Sequence, residues 1–158
     1  MNSLGCIPRK SLVLKFPELS LFGNKENILH FIRGYVDGDG CLSYYKKPNK
    51  KSYRTKLSII GTESFLKSIN MLFGNKGYLF KNSTNNTYEL SFSDVPSRKL
   101  ARYLYENATV YLQRKYNKYL EFCRIEEESS RRKSSKIGEG CDANTEVSSK
   151  ITKGLETP

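Results

Sequence analysis

The sequence predicts an α+β fold in which helices cover one face of a four-stranded antiparallel sheet. Three observations carry that prediction. A helix-period apolar run (Ile28, Leu29, Phe31, Ile32, Tyr35, Val36) ends at Asp37-Gly38-Asp39-Gly40. Two pairs of strand-like segments follow, each pair joined by turn residues. Between and after those pairs lie further stretches with apolar residues three and four apart.

Each element has its own local signal. Asn24 is suited to cap the first helix. After Gly40, Leu42 and Tyr44 alternate with Cys41, Ser43 and Tyr45, the period of a strand. The turn Lys46-Lys47-Pro48-Asn49-Lys50-Lys51 leads into a second strand from Tyr53 to Ile60. There Arg54, Lys56 and Ser58 share one face and Leu57 and Ile59 the other. Thr62 caps a helix carrying Phe65, Leu66, Ile69, Leu72 and Phe73, and Gly74 suits the left-handed position just past its end. Residues 78–82 and 87–92 form a second hairpin around Asn85-Asn86, with Tyr88, Leu90 and Phe92 toward the core and Thr87, Glu89 and Ser91 opposite. Asp94 and Pro96 open a helix through Leu100 and Leu104, and another runs from about Leu112 to Cys123 or slightly beyond. From Glu127 onward apolar residues are few and Ser, Lys, Arg and Glu many, so disorder is expected. The chain therefore divides into an arm or linker (1–23), a domain (24–126) and a tail (127–158).

Charge narrows the partner. Twenty-seven basic against 16 acidic residues give a formal charge of +11, which points to a polyanion, nucleic acid before membrane. No run approaches the roughly 18 apolar residues of a membrane span, and the N-terminus lacks the apolar segment of a secretory signal. Cys6, Cys41, Cys123 and Cys141 are widely spaced and form no zinc pattern, so a reducing, intracellular setting is expected, bacterial cytoplasm or organelle. The single histidine, His30, reads as a helix residue, which disfavours histidine-based nuclease chemistry and a Ser-His triad.

Asp37 and Asp39 stand where a helix ends, and terminal carbonyls already carry partial negative charge there. Two acids at that point are unfavourable by a few tenths of a kcal/mol each, roughly, and a bound cation would offset the cost. A plain Asp-Gly turn is a second reading. A calcium loop is excluded, because Cys41, Leu42 and Pro48 fall where a ligand, a glycine and a glutamate are required. Gly34, inside the helical run, costs about 1 kcal/mol relative to alanine and suits close approach of another backbone.

Ile32 to Gly40 resemble the motif of LAGLIDADG homing endonucleases, with Gly34, Asp37, Asp39 and Gly40 at its fixed positions and Arg33 where a small residue is usual. The helix, hairpin, helix, hairpin, helix order over roughly 24–125 resembles that family too. The resemblance implies an α-β-β-α-β-β-α saddle and Mg²⁺-dependent hydrolysis of double-stranded DNA. Asp39 and the Gly38 carbonyl would then hold the metal, and Asp37 would accept hydrogen bonds where the helix ends. Lys115, with Arg114 as runner-up, would stabilise charge near the scissile phosphate; a solvated helix face is the other reading. Gly61 or Thr62 falls near a water-organising position where the family often has a longer polar side chain. The free sheet face offers Ser43, Tyr45, Lys47, Arg54, Lys56, Ser58 and Asn82 to DNA, with Lys50 and Lys51 in the turn.

One motif supplies half of a site that cuts two strands, so a homodimer is the simplest completion. Residues 4–12 followed by Phe16-Pro17 resemble the joint between halves of two-motif members, which would make the chain the second half, working with a separately encoded first half. Gly154-Leu155-Glu156-Thr157 raises the idea of a coding end that overlaps an intron core. Two other functions stay open on the same fold, an RNA-binding intron maturase and a non-cutting DNA-binding remnant.

Overall fold

A computed structural model describes residues 13–48, 52–83 and 87–138. The first helix, α1 (Lys25–Asp39), starts where the Asn24 side chain accepts a hydrogen bond from the Asn27 N–H at 2.8 Å. Its buried positions are Ile32, Arg33 and Val36. It stops at Asp39, and the Gly40 N–H donates to the Val36 carbonyl. Gly40 has no room for a side chain, since an added Cβ would lie 2.6 Å from the Val36 carbonyl oxygen. With no intervening loop the chain enters β1 (Gly40–Lys46), which pairs antiparallel with β2 (Tyr53–Gly61).

Thr62 caps α2 (Glu63–Leu72) by accepting from the Phe65 N–H at 3.3 Å, and its hydroxyl also donates to the Leu14 carbonyl. Gly74 takes a φ of 68°, the left-handed turn expected there. The Asn70 amide then grips Gly77 through both N–H and carbonyl, setting the start of β3 (Tyr78–Lys81), which pairs with β4 (Tyr88–Ser93). The sheet order is β1-β2-β4-β3, all antiparallel, so the two hairpins join through β2 and β4. Two helices complete the fold, α3 (Val95–Tyr105) and α4 (Gln113–Gly138).

The α+β saddle is thus observed. Leu42, Leu57, Ile59, Leu90 and Phe92 are buried on the helix side of the sheet, against Ile32, Val36, Phe65, Leu66, Ile69, Leu100, Leu104 and Phe122. Strand alternation turns Cys41, Ser43, Tyr45, Arg54, Lys56, Ile60, Glu89, Tyr78 and Phe80 to the other side. Tyr88, expected in the core, is only half-buried at its edge.

The helical end differs from expectation. Disorder was expected from Glu127, yet α4 continues to Gly138. Ile125 is still buried, and ion pairs one turn apart, Arg131–Glu127 and Arg132–Glu128, support the helix beyond it. Lys50, Lys51, the joint-like stretch 4–12 and the proposed intron overlap at 154–157 lie outside the described residues. Among the described residues no helix is long and apolar enough to cross a membrane.

Candidate active site at the end of the first helix

Asp37 and Asp39 share one helical turn but have opposite surroundings. Asp37 is fully engaged: its Oδ1 accepts from the Tyr105 hydroxyl at 2.7 Å and its Oδ2 from the Leu112 N–H at 2.9 Å. It therefore ties the end of α3 and the start of α4 to α1. Tyr105 is fully buried, and burial first, then its bond to Asp37, pushes its hydroxyl well above the usual tyrosine range. Asp39 is exposed, and its carboxylate takes no hydrogen bond or ion pair among the described residues. A nearby phenol feels it: Tyr35, whose hydroxyl donates to the Ile60 carbonyl at 2.9 Å, is raised by burial and then by the charge of Asp39.

A helix leaves its last carbonyls without partners inside the helix. The Val36 carbonyl is taken by Gly40, whereas Gly38, next to Asp39 in the chain, falls in the last turn of α1. Carboxylate and carbonyl are hard oxygen donors, the chemistry that suits Mg²⁺. No group of three or more His, Cys, Asp or Glu forms a ligand set among the described residues, so two donors are what this corner of one chain offers.

Lys115 lies beneath the same corner. It is buried, and its ammonium donates to the Gly40 carbonyl, which argues against the solvated helix face. Burial, then the charge of Arg114, pulls its pKa below the ordinary lysine range, while Cys41, Asp37 and Asp39 act in the opposite sense. Thr62 is committed to its cap and to Leu14, and an added Cβ at Gly61 would meet the Tyr35 hydroxyl at 3.0 Å.

Arg33, the departure from the usual motif, was missed as a bracing residue. Its Nε donates to the Val110 carbonyl at 2.9 Å and its Nη1 to the Leu104 carbonyl at 3.0 Å, with His30 Nδ1 at Nη2. The guanidinium thus pins the α3–α4 connection that presents Leu112 to Asp37. An arginine in an apolar run was the available signal, because such a residue must find acceptors.

Beside Arg33 and Asp37, on its exposed side, α1 is bare. Gly34 and Gly38 are exposed, and a Cβ added at either meets nothing within 4 Å.

The open sheet face holds the expected residues unevenly. Tyr45, Arg54 and Asn82 are exposed, whereas Ser43, Lys47 and Lys56 are half-buried. Ser58 departs from expectation: it is only 8% exposed, a short side chain on a central strand between Cys41 and Ser91. Two of the cations are already paired, Arg54 with Asp94 at 3.5 Å and Lys56 with Glu89 at 2.8 Å.

No protein-family model and no curated protein matches the chain. Solved structures do. The LAGLIDADG meganuclease I-AabMI, bound to uncleaved DNA, is 14% identical at a TM-score of 0.52, and the match covers 70% of this chain and 41% of that one. The group I intron-encoded homing endonuclease I-CeuI, complexed with DNA, is 17% identical at 0.56, over 73% of this chain and 60% of that. The homing endonuclease I-CvuI, in complex with the I-CreI target and 2 mM Mg, is 18% identical at 0.52, over 77% and 87%. At such identities the likeness is one of fold.

Proposed function

We propose that this chain, which carries the LAGLIDADG endonuclease fold, is one half of a site-specific, Mg²⁺-dependent double-stranded DNA endonuclease. The observation that carries the reading is the contrast within one turn of α1: Asp37 is spent on the fold and Asp39 is left open. A fold gains nothing from an unpaired carboxylate at the negative end of a helix. A metal bound by Asp39 and the Gly38 carbonyl would supply an acidified water and neutralise phosphate charge. The chain's own residues set the stage. Asp37, Tyr105 and Arg33 fix the position of α4, and Lys115 holds positive charge under Gly40 where charge grows on the phosphate.

Two copies complete the site. The bare stripe at Gly34 and Gly38 lets a second α1 approach closely, bringing a second Asp39 and its carbonyl. The match to about two-fifths of I-AabMI supports the related reading of a half that pairs with a separately encoded partner. We take the domain to include all of α4, which runs on past 126 to Gly138. Homing from within an intron is the biological setting that we propose.

The test is incubation of the full chain with Mg²⁺ and a plasmid carrying the intronless flanking sequence, with solution mass measured in parallel. Linear plasmid and a two-chain mass are expected. Tight Mg²⁺-independent binding to the host intron RNA, without cutting of duplex DNA, would replace this reading with the maturase.

A further inference from the structure

The open sheet face changes character along its length. The end farther from Asp39 is polar and basic, with Tyr45 opposite Arg54, and Ser43 opposite Lys56. The nearer end carries three exposed apolar side chains set among polar neighbours. Ile60 follows Ile59, which pairs with Gly40, so Ile60 lies level with the end of α1 that bears Asp39. Across the sheet Ile60 faces Glu89, and Glu89 faces Phe80. Tyr78 lies one row further along, opposite Ser91. These apolar side chains are left in water, Ile60 at 47%, Phe80 at 56% and Tyr78 at 68% exposed.

We infer that Ile60, Phe80 and Tyr78 read thymine methyl groups in the major groove of the target duplex. This rests on the DNA reading proposed above and extends it to base identity. The argument is one of exclusion by chemistry. Glu89 sits in the middle of the strip with its charge spent on Lys56, so the strip offers phosphates no free cation and faces base edges rather than the backbone. On those edges in the major groove the C5-methyl of thymine is the apolar group. Glu89, tied to Lys56, also interrupts the patch, which suits a groove floor of mixed polarity better than a dry protein contact. The polar and basic far end then serves to position the duplex, while Ile60, Phe80 and Tyr78 discriminate near the end of α1.

The test uses the full chain and a pool of randomised duplexes. Retained duplexes are sequenced, and in a retained sequence each thymine is replaced singly by deoxyuridine, which removes only the methyl. Thymines are expected to recur beside the centre of each half-site, with a loss in affinity of about fourfold per methyl removed. That loss should vanish position by position in Ile60→Ser and Phe80→Ser, each compared at a temperature well below its own measured melting temperature so that both variants are folded. Indifference to deoxyuridine, or a penalty that persists in both variants, overturns the inference while DNA binding stands. Failure to retain any duplex overturns it together with the reading beneath it.

Discussion

The two flanks of α1 use similar residues to opposite ends. On the inner flank Arg33 and Asp37 are polar groups with every strong demand met: carbonyls of Leu104 and Val110 for the arginine, Tyr105 and Leu112 for the aspartate. On the outer flank Gly34, Gly38 and Asp39 meet almost nothing. The lesson is that residue type does not assign a role here; the number of satisfied partners does. A charged group closed by its neighbours builds the fold, and one left open is available to ligand.

That contrast is broken most severely at its open end. Asp39→Asn is expected to lower DNA cleavage by about 10³-fold or more, with duplex binding retained or tightened and melting temperature unchanged. A cleavage assay beside a binding titration checks it, and a variant that still cuts would remove Asp39 from the site. Gly34→Leu should weaken self-association by about 10²-fold, since a clash of roughly 1–3 kcal/mol is repeated in each copy. The same change should stabilise the separated chain by about 0.5–1 kcal/mol, leucine being the better helix former. Sedimentation and thermal melting would show the two opposite signs.

The inner flank should respond in stability instead. Arg33→Ala is expected to cost about 3 kcal/mol by stranding two carbonyls, and Arg33→Lys should recover little, because a lysine lacks the planar fork. Urea unfolding measures both. The smallest effect is that of Tyr105→Phe, about 1 kcal/mol at neutral pH, and it carries a pH signature. The raised pKa of Tyr105 means that its contribution is intact below the ordinary value of 10.0 and is lost as the pH climbs above it, where the unfolded chain ionises first. Wild-type melting temperature should therefore fall more steeply above about pH 10 than that of the phenylalanine variant.

Much of this could be read from the chain alone. The caps at Asn24 and Thr62, the left-handed Gly74 and the alternation of Leu57 and Ile59 are local signals, and each one settled its element. What escaped depends on distant partners. Nothing near Lys115 announces that it points inward to Gly40, 75 residues away. The braces made by Arg33 run to residues 71 and 77 positions on. The pairing of Lys56 with Glu89 needs the β2–β4 register, which two separate hairpins do not reveal. The length of α4 escaped for another reason: its polar end is carried by ion pairs along the helix, and a search for apolar residues overlooks such a segment.

Gly40 is the hinge point where no hinge exists. Its N–H is bound to Val36, its carbonyl receives Lys115, and Val36 fills the space a side chain would need. Chemistry and recognition consequently meet with no slack, like a blade set into the zero mark of a ruler. Under the proposed function, exchanging residues along the strands would change the sequence preference without shifting the Asp39 corner relative to the strands.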